Sequence, residues 1–211
     1  MKRRMYSNTI VLLVIVIAGC TPTLPDNLNF VDEKEVYGNI AKIRNVLSNI
    51  YSGLPGGYND IGASWLAAAS DEAEEVNNAE QIQSFNLGNI TTAYNPDDVW
   101  EKHYNSIYDA MVFLQATDTV TWKYLEISNP TEYASRTALT KQYRAEARFL
   151  VAFFYFELVK RYGGVPLVDK LIDKNTNWME HYPRQSFADC IDHIVFYCDS
   201  AAVDLPPTQD A

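Results

Sequence analysis

The sequence predicts an all-α body broken by long irregular segments, and three observations predict it. Apolar residues recur three and four positions apart in four separate segments, the period of one helix face. Capping residues open these segments, or glycine and proline close them. The composition, 47 % hydrophobic and 21 % charged over 211 residues, suits a chain that buries a core and excludes collagen-like, mucin-like and disordered classes.

The first twenty residues read as an address. Lys2, Arg3 and Arg4 form a positive start, and Ile10 to Ala18 is an unbroken apolar run of nine. A membrane-spanning helix needs ~20 apolar residues, so this run fits a signal peptide. It ends in Ile17-Ala18-Gly19-Cys20, which resembles the bacterial lipobox. The expected processing removes residues 1–19 as a lipoprotein signal peptide and acylates Cys20, with 20–31 as a stiff polar tether. At ~0.8 kcal/mol per buried CH₂, two or three acyl chains hold a protein on a membrane almost permanently.

The body follows from 32 onward. Residues 33–51 carry Val36, Ile40, Ile43, Val46, Leu47 and Ile50, a helical rhythm with Asp32 as its expected cap, and Ser52 to Gly57 stops it. From Gly56 to Tyr94 the pattern weakens, and the expectation is a long excursion with one short helix over 65–76. Asn95-Pro96-Asp97-Asp98 reads as the next helix start. Trp100, Tyr104, Ile107, Met111 and Leu114 then form one stripe, and 117–130 reads as a loop. The longest helix is expected over 131–161, with Tyr143, Ala147, Leu150, Phe154 and Leu158 on one stripe. From Phe149 it is apolar nearly all round, which predicts a central buried helix ended by Gly163-Gly164 and an extended Val165 to Val168. After a polar connection over 169–185, Ser186 to Asp189 resembles a capping box. The stripe behind it contains Phe187, Cys190, Ile191, Ile194, Cys198, Ala201 and Leu205, and Pro206-Pro207 halts it. That helix has an apolar side with no later helix to cover it, so the chain is expected to continue beyond Ala211.

Charge and motifs narrow the function. The formal net charge is −10, and three of the 17 cations lie in the first four residues, so the body is more acidic still. Such a body is a poor nucleic-acid binder, since phosphate contacts need clustered Lys and Arg. Cys190 and Cys198, eight apart, are ~12 Å from each other on one helix, beyond disulfide reach. His103, His181 and His193 are scattered with no zinc spacing, and no catalytic, phosphate-loop or cofactor signature is present. Asp71, Glu72, Glu74 and Glu75 read as a solvated face in preference to a cation site or a hydrolytic carboxylate pair.

The stretch from Arg144-Ala-Glu-Ala-Arg148-Phe-Leu to Leu158-Val-Lys-Arg-Tyr-Gly163-Gly-Val-Pro-Leu-Val168 resembles the signature of the RagB/SusD family of outer-membrane nutrient-binding lipoproteins. The Trp100-x3-Tyr104 helix and the Arg184 to Pro206 segment are similar to its flanking helices. Val151 stands where the family pattern has arginine, and members continue well past residue 211. The resemblance covers essentially the whole mature chain, 32–211. It implies a SusD-like helical fold with tetratricopeptide-like helix pairs. It further implies a non-enzymatic, surface-exposed lipoprotein of the outer membrane that captures oligosaccharides for a SusC-like TonB-dependent transporter. The alternative it leaves is a helical-repeat lipoprotein binding peptides or another envelope protein.

Sugar rings stack their C–H faces on Trp and Tyr and take hydrogen bonds at their hydroxyls. Aromatics on the helical stripes, such as Trp100, Tyr104, Tyr143 and Phe154, are expected in the core. Those in irregular segments are the better candidates: Tyr58, Trp65 and Tyr94 in the excursion foremost, with Trp122 and Trp178 behind them. For Trp65, followed by Leu-Ala-Ala-Ala, a packing anchor is the favoured reading. Arg148 and Glu157 are expected to be partly buried, paired scaffold charges, and Glu157 to pair with Arg161.

Overall fold

The computed structural model describes residues 32–56, 60–61, 64–77, 81–172 and 177–207. Residues 1–31, which hold the expected signal peptide and Cys20, lie outside the described residues, as do Tyr58 and the side chain of Trp178. Seven α-helices and one minimal hairpin are found among the described residues: α1 (Glu33–Tyr37), α2 (Ile40–Tyr51), β1 (Asp60–Ile61), β2 (Ser64–Trp65), α3 (Gln83–Asn86), α4 (Trp100–Asp118), α5 (Pro130–Tyr162), α6 (Trp178–His181) and α7 (Phe187–Ala202). Single 3₁₀ turns at Leu66–Ala69 and Lys123–Leu125 complete the order.

The long helix α5 is the centre, and α2, α4 and α7 all pack on it. It starts where its sequence says it should. Asn129 accepts a hydrogen bond from the Glu132 amide, and Pro130 occupies the first turn. Gly163 ends it at φ +69°, ψ −134°, a backbone region that side chains resist. Gly164 then passes so close to the next strap that a Cβ there would lie 2.0 Å from the Gln185 carbonyl oxygen.

Helices α4 and α7 run antiparallel to α5, as their end contacts show. Arg161 and Tyr162 at its C-terminus reach Asp97, Asp98 and Val99 at the start of α4, while Arg144 reaches Leu114, Thr117 and Asp118 at the end of α4. Gly164 touches Ser186 before α7, and Arg148 pairs with Asp204 after it. The core between these helices holds Ile43, Leu47 and Ile50 of α2, Ile107 and Phe113 of α4, and Leu150, Phe154, Tyr155 and Leu158 of α5. Its apolar burial is the main favourable term in folding.

The extended strap after α5 is tied down by two core tyrosines. The Tyr155 hydroxyl accepts from the Val168 amide at 2.8 Å and donates to the Val168 carbonyl at 3.1 Å. The Tyr104 hydroxyl donates to the Pro166 carbonyl at 2.7 Å. Pro166 and Arg184 form an isolated antiparallel bridge, and the Arg184 guanidinium lies over the Trp100 ring at 5.1 Å.

Several expectations are corrected. The helix over 33–51 is two helices, because Gly38-Asn39 breaks it and Asn39 caps α2 by accepting from the Ala41 and Lys42 amides. Helix α4 starts at Trp100, with Asp98 bonding the Trp100 amide, while Asn95 closes an earlier turn through the Asp97 amide. The 117–130 loop is shorter, since α4 runs to Asp118 and a 3₁₀ turn follows. The helix over 65–76 shrinks to the 3₁₀ turn Leu66–Ala69, which Ser70 ends by bonding back to the Ala67 carbonyl. Helix α5 is not buried all round, because Phe149 and Phe156 face solvent. On α7, Cys190 and Ala201 are buried, Cys198 is half-buried and Phe187 is exposed. Both Cys190 and Cys198 are free thiols.

Candidate functional site

Between α2 and α4 the chain makes its excursion and builds a small core of its own from Ile61, Ala68 and Ile82, with Ala69 and Phe85 packed against it. Nothing in this segment is periodic, so side-chain bonds to the backbone supply the order. The Asn86 amide group donates to the Ala68 carbonyl at 2.8 Å, and the Gln83 amide group donates to the Glu75 carbonyl. Ser64 donates to the Glu75 carboxylate at 2.8 Å. That bond, with the Asn77 amide behind it, holds the Glu75 carboxyl below its ordinary range. The acidic run therefore lies on irregular backbone, not on a helix face, and its last member staples the hairpin.

Trp65 ends the hairpin and is 68 % exposed. The packing-anchor reading of Trp65 is thus corrected: Ala68 enters the small core and Trp65 is displayed. Tyr94 is 44 % exposed, and its backbone is fixed by an antiparallel bridge to Thr91. Ser84 of α3 donates to its hydroxyl at 3.3 Å. Trp65 and Tyr94 are therefore two aromatic faces displayed on one segment. Trp122 is a correction in the opposite sense. It is 3 % exposed, donates from its indole nitrogen to Thr140 at 3.0 Å and belongs to the main core.

The charged residues of the α5 signature serve the scaffold. Arg144 donates to the Leu114 carbonyl at 2.7 Å, to Thr117 at 3.0 Å and to Asp118 at 2.9 Å, so it caps the end of α4. Glu146 accepts from Tyr51 of α2 at 3.0 Å. Arg148 and Asp204 pair at 3.6 Å. Glu157, 5 % exposed, holds Lys160 at 2.8 Å and Arg161 at 2.5 Å. Burial alone would push the Glu157 carboxyl up, yet the hydrogen bonds from Lys160 and Arg161 bring it below its ordinary value. Val151, at the position of the departure from the family pattern, is fully buried.

Two cavities of about 700 Å³ flank the bundle. One lies between α4, α5 and α7, where the cations Arg144, Arg148 and Lys170 meet Asp118, Asp169 and Asp204. The other lies between the excursion and the helix ends, lined by Ile61 and Leu66 and by the polar residues Asp97, Lys102, His103, Lys160 and Arg161. Among the described residues, no cluster of three or more His, Cys, Asp or Glu side chains is placed to hold a metal ion. No helix among them is long and apolar enough to cross a membrane.

No curated protein matches the sequence. Solved structures match the fold. A SusD-like protein of Bacteroides fragilis has 24 % identity and a TM-score of 0.66, covering 86 % of this chain and 32 % of its own. A SusD-like carbohydrate-binding protein of the same species has 23 % identity and a TM-score of 0.59, covering 81 % of this chain and 32 % of its own. A laminarin-binding SusD-like protein has 21 % identity and a TM-score of 0.58, covering 84 % of this chain and 35 % of its own. The chain thus spans about a third of the length of the solved relatives it matches. Residues 28–210 match the SusD-like family described as starch-binding and associating with the outer membrane, and the chain belongs to that family.

Proposed function

We propose that the protein captures glycans at the outer face of the outer membrane and hands them to a SusC-like TonB-dependent transporter without breaking a bond. The observation that carries this reading is the family match over 28–210, which contains the whole excursion. The site is proposed on that segment, with Trp65 and Tyr94 as stacking surfaces and Tyr58 as a third. Trp65 supports the reading best, since a displayed indole costs apolar exposure and offers a sugar ring a face. The chain is proposed to be held on the membrane by acyl groups on Cys20, with 1–19 removed, 20–31 as tether and 32–211 as the first part of the helical body.

Affinity electrophoresis of the mature protein through gels containing a panel of polysaccharides tests this. The expected result is retardation by at least one glycan, with no change in that glycan's chain length and with loss of retardation in Trp65→Ala. Free migration on every glycan overturns the reading and favours peptide binding. Shortened chains overturn the non-enzymatic part.

A further inference from the structure

We infer that helix α3 is the support that sets both displayed aromatics, with Asn86 as the positioning residue for Trp65 and Ser84 as the positioning residue for Tyr94. Their role toward a sugar rests on the glycan-capture reading; the positioning stands on the bonds themselves. Helix α3 is a single turn of four residues, Gln83–Asn86. A helix shorter than ~12–15 residues is marginal by itself, so the order of α3 must come from its surroundings. Its side chains tie it to the chain on both sides.

On the Trp65 side, Asn86 Nδ2 donates to the Ala68 carbonyl at 2.8 Å. Ala68 belongs to the 3₁₀ turn Leu66–Ala69, and Trp65 opens that turn from an extended backbone, φ −67°, ψ 143°. Trp65 makes no side-chain cap bond to the turn. The backbone around Trp65 is therefore fixed from before by the Asp60–Trp65 ladder pair and from after by Asn86. Gln83, 2 % exposed, anchors α3 itself by donating to the Glu75 carbonyl, and Phe85 packs on the small core that holds Ala68. On the Tyr94 side, the Ser84 hydroxyl donates to the Tyr94 hydroxyl at 3.3 Å. The Ser84 carbonyl accepts from the Asn89 amide at 2.9 Å, and Thr91 closes the turn that carries Tyr94. The Ser84 bond is the longer of the two, so Ser84 is expected to matter less than Asn86. Ordering such rings before a sugar arrives removes part of the entropy cost of binding.

The test is fluorine NMR of the mature protein labelled with fluorotryptophan, beside affinity electrophoresis in amylopectin, xylan, dextran and polygalacturonate. The chain has four tryptophans, and Trp65→Phe and Trp122→Phe identify their lines. Asn86 is exposed, so its replacement does not threaten the main core. In Asn86→Asp an ionised carboxylate faces the Ala68 carbonyl and cannot donate, whereas the protonated acid can. The Trp65 line of Asn86→Asp is therefore expected to be displaced at about pH 7 and to return toward its unsubstituted position by about pH 4. The Trp122 line should match that of the unsubstituted protein at each pH. Asn86→Ala, with no donor in either state, should displace the Trp65 line throughout. In the gels, Asn86→Asp and Ser84→Ala should weaken retention roughly three- to ten-fold, with no added loss in Trp65→Ala and Tyr94→Phe respectively. An unmoved Trp65 line in Asn86→Asp and Asn86→Ala overturns the positioning of Trp65, as does equal displacement of the Trp122 line. A Ser84→Ala loss that persists at full size in Tyr94→Phe overturns the positioning of Tyr94. Retention lost in Trp65→Ala but kept in Asn86→Asp overturns the inference and leaves glycan capture standing. The expected Trp65 line shifts with no polymer retained uphold the positioning and overturn glycan capture.

Discussion

Trp122 is 3 % exposed and hydrogen-bonded to Thr140, whereas Trp65 is 68 % exposed at the end of a hairpin, although both sit in segments without helical rhythm. Their substitutions should separate stability from binding. Trp122→Ala should cost about 3–5 kcal/mol in urea unfolding, because it empties a core site and removes the hydrogen bond that Thr140 accepts, leaving Thr140 only its bond to the Arg136 carbonyl. Trp65→Ala should change stability by no more than ~0.5 kcal/mol, as for other surface positions, while abolishing glycan retention. A Trp65→Ala protein that is strongly destabilised would return Trp65 to a packing role. The buried histidine supplies a second test. Burial pushes His103 from its ordinary 6.5 down to about 4. Between those values the unfolded chain binds a proton that the folded chain refuses, so stability is full above 6.5 and falls as pH drops toward 4. His193 is shifted down by burial in the same sense. Glu157, held below its ordinary value, adds a loss at still lower pH as it takes a proton. Urea midpoints measured from pH 7 to 4 should therefore decline, with a shallower slope in His103→Gln; a flat profile would contradict the buried neutral imidazole.

Among the elements, α5 was the most legible, because a cap at Asn129 with Pro130, a long apolar stripe and a glycine stop all agree. The expected 131–161 differs from Pro130–Tyr162 by one residue at each end. The first helix was misread because apolar spacing continues through Gly38-Asn39 while the backbone does not; there the stop-and-cap signal outweighs the rhythm. Asn39→Ala should cost ~1 kcal/mol, read as a lower melting temperature. Gly163→Ala should cost roughly 1–3 kcal/mol from its positive φ alone, since a Cβ there meets no atom within 4 Å. The excursion was legible only as an irregular stretch. Its hairpin and small core depend on single bonds such as Asn86 to Ala68 and Ser64 to Glu75, which join residues 18 and 11 apart and leave no periodic trace.

At the scale of the molecule, the residues that identify the family and those proposed to meet the ligand are different sets. Arg144, Glu146, Arg148 and Glu157 close helix ends and pair charges, so their spacing is dictated by helix geometry and can be read in the sequence. Trp65 and Tyr94 are placed by the irregular segment. That segment imposes no spacing, so the site was legible only as a choice among exposed aromatics. Membrane attachment has its own test: Cys20→Ala should move the protein from the membrane pellet to the soluble fraction, and a variant that stays in the pellet would remove the lipid anchor. The most direct test of the account is titration calorimetry of the mature protein with whichever glycan it retains, beside Trp65→Ala. The account predicts saturable binding with no heat of turnover and at least ten-fold weaker affinity in the variant; unchanged affinity in Trp65→Ala, or continuous heat from bond cleavage, would contradict it.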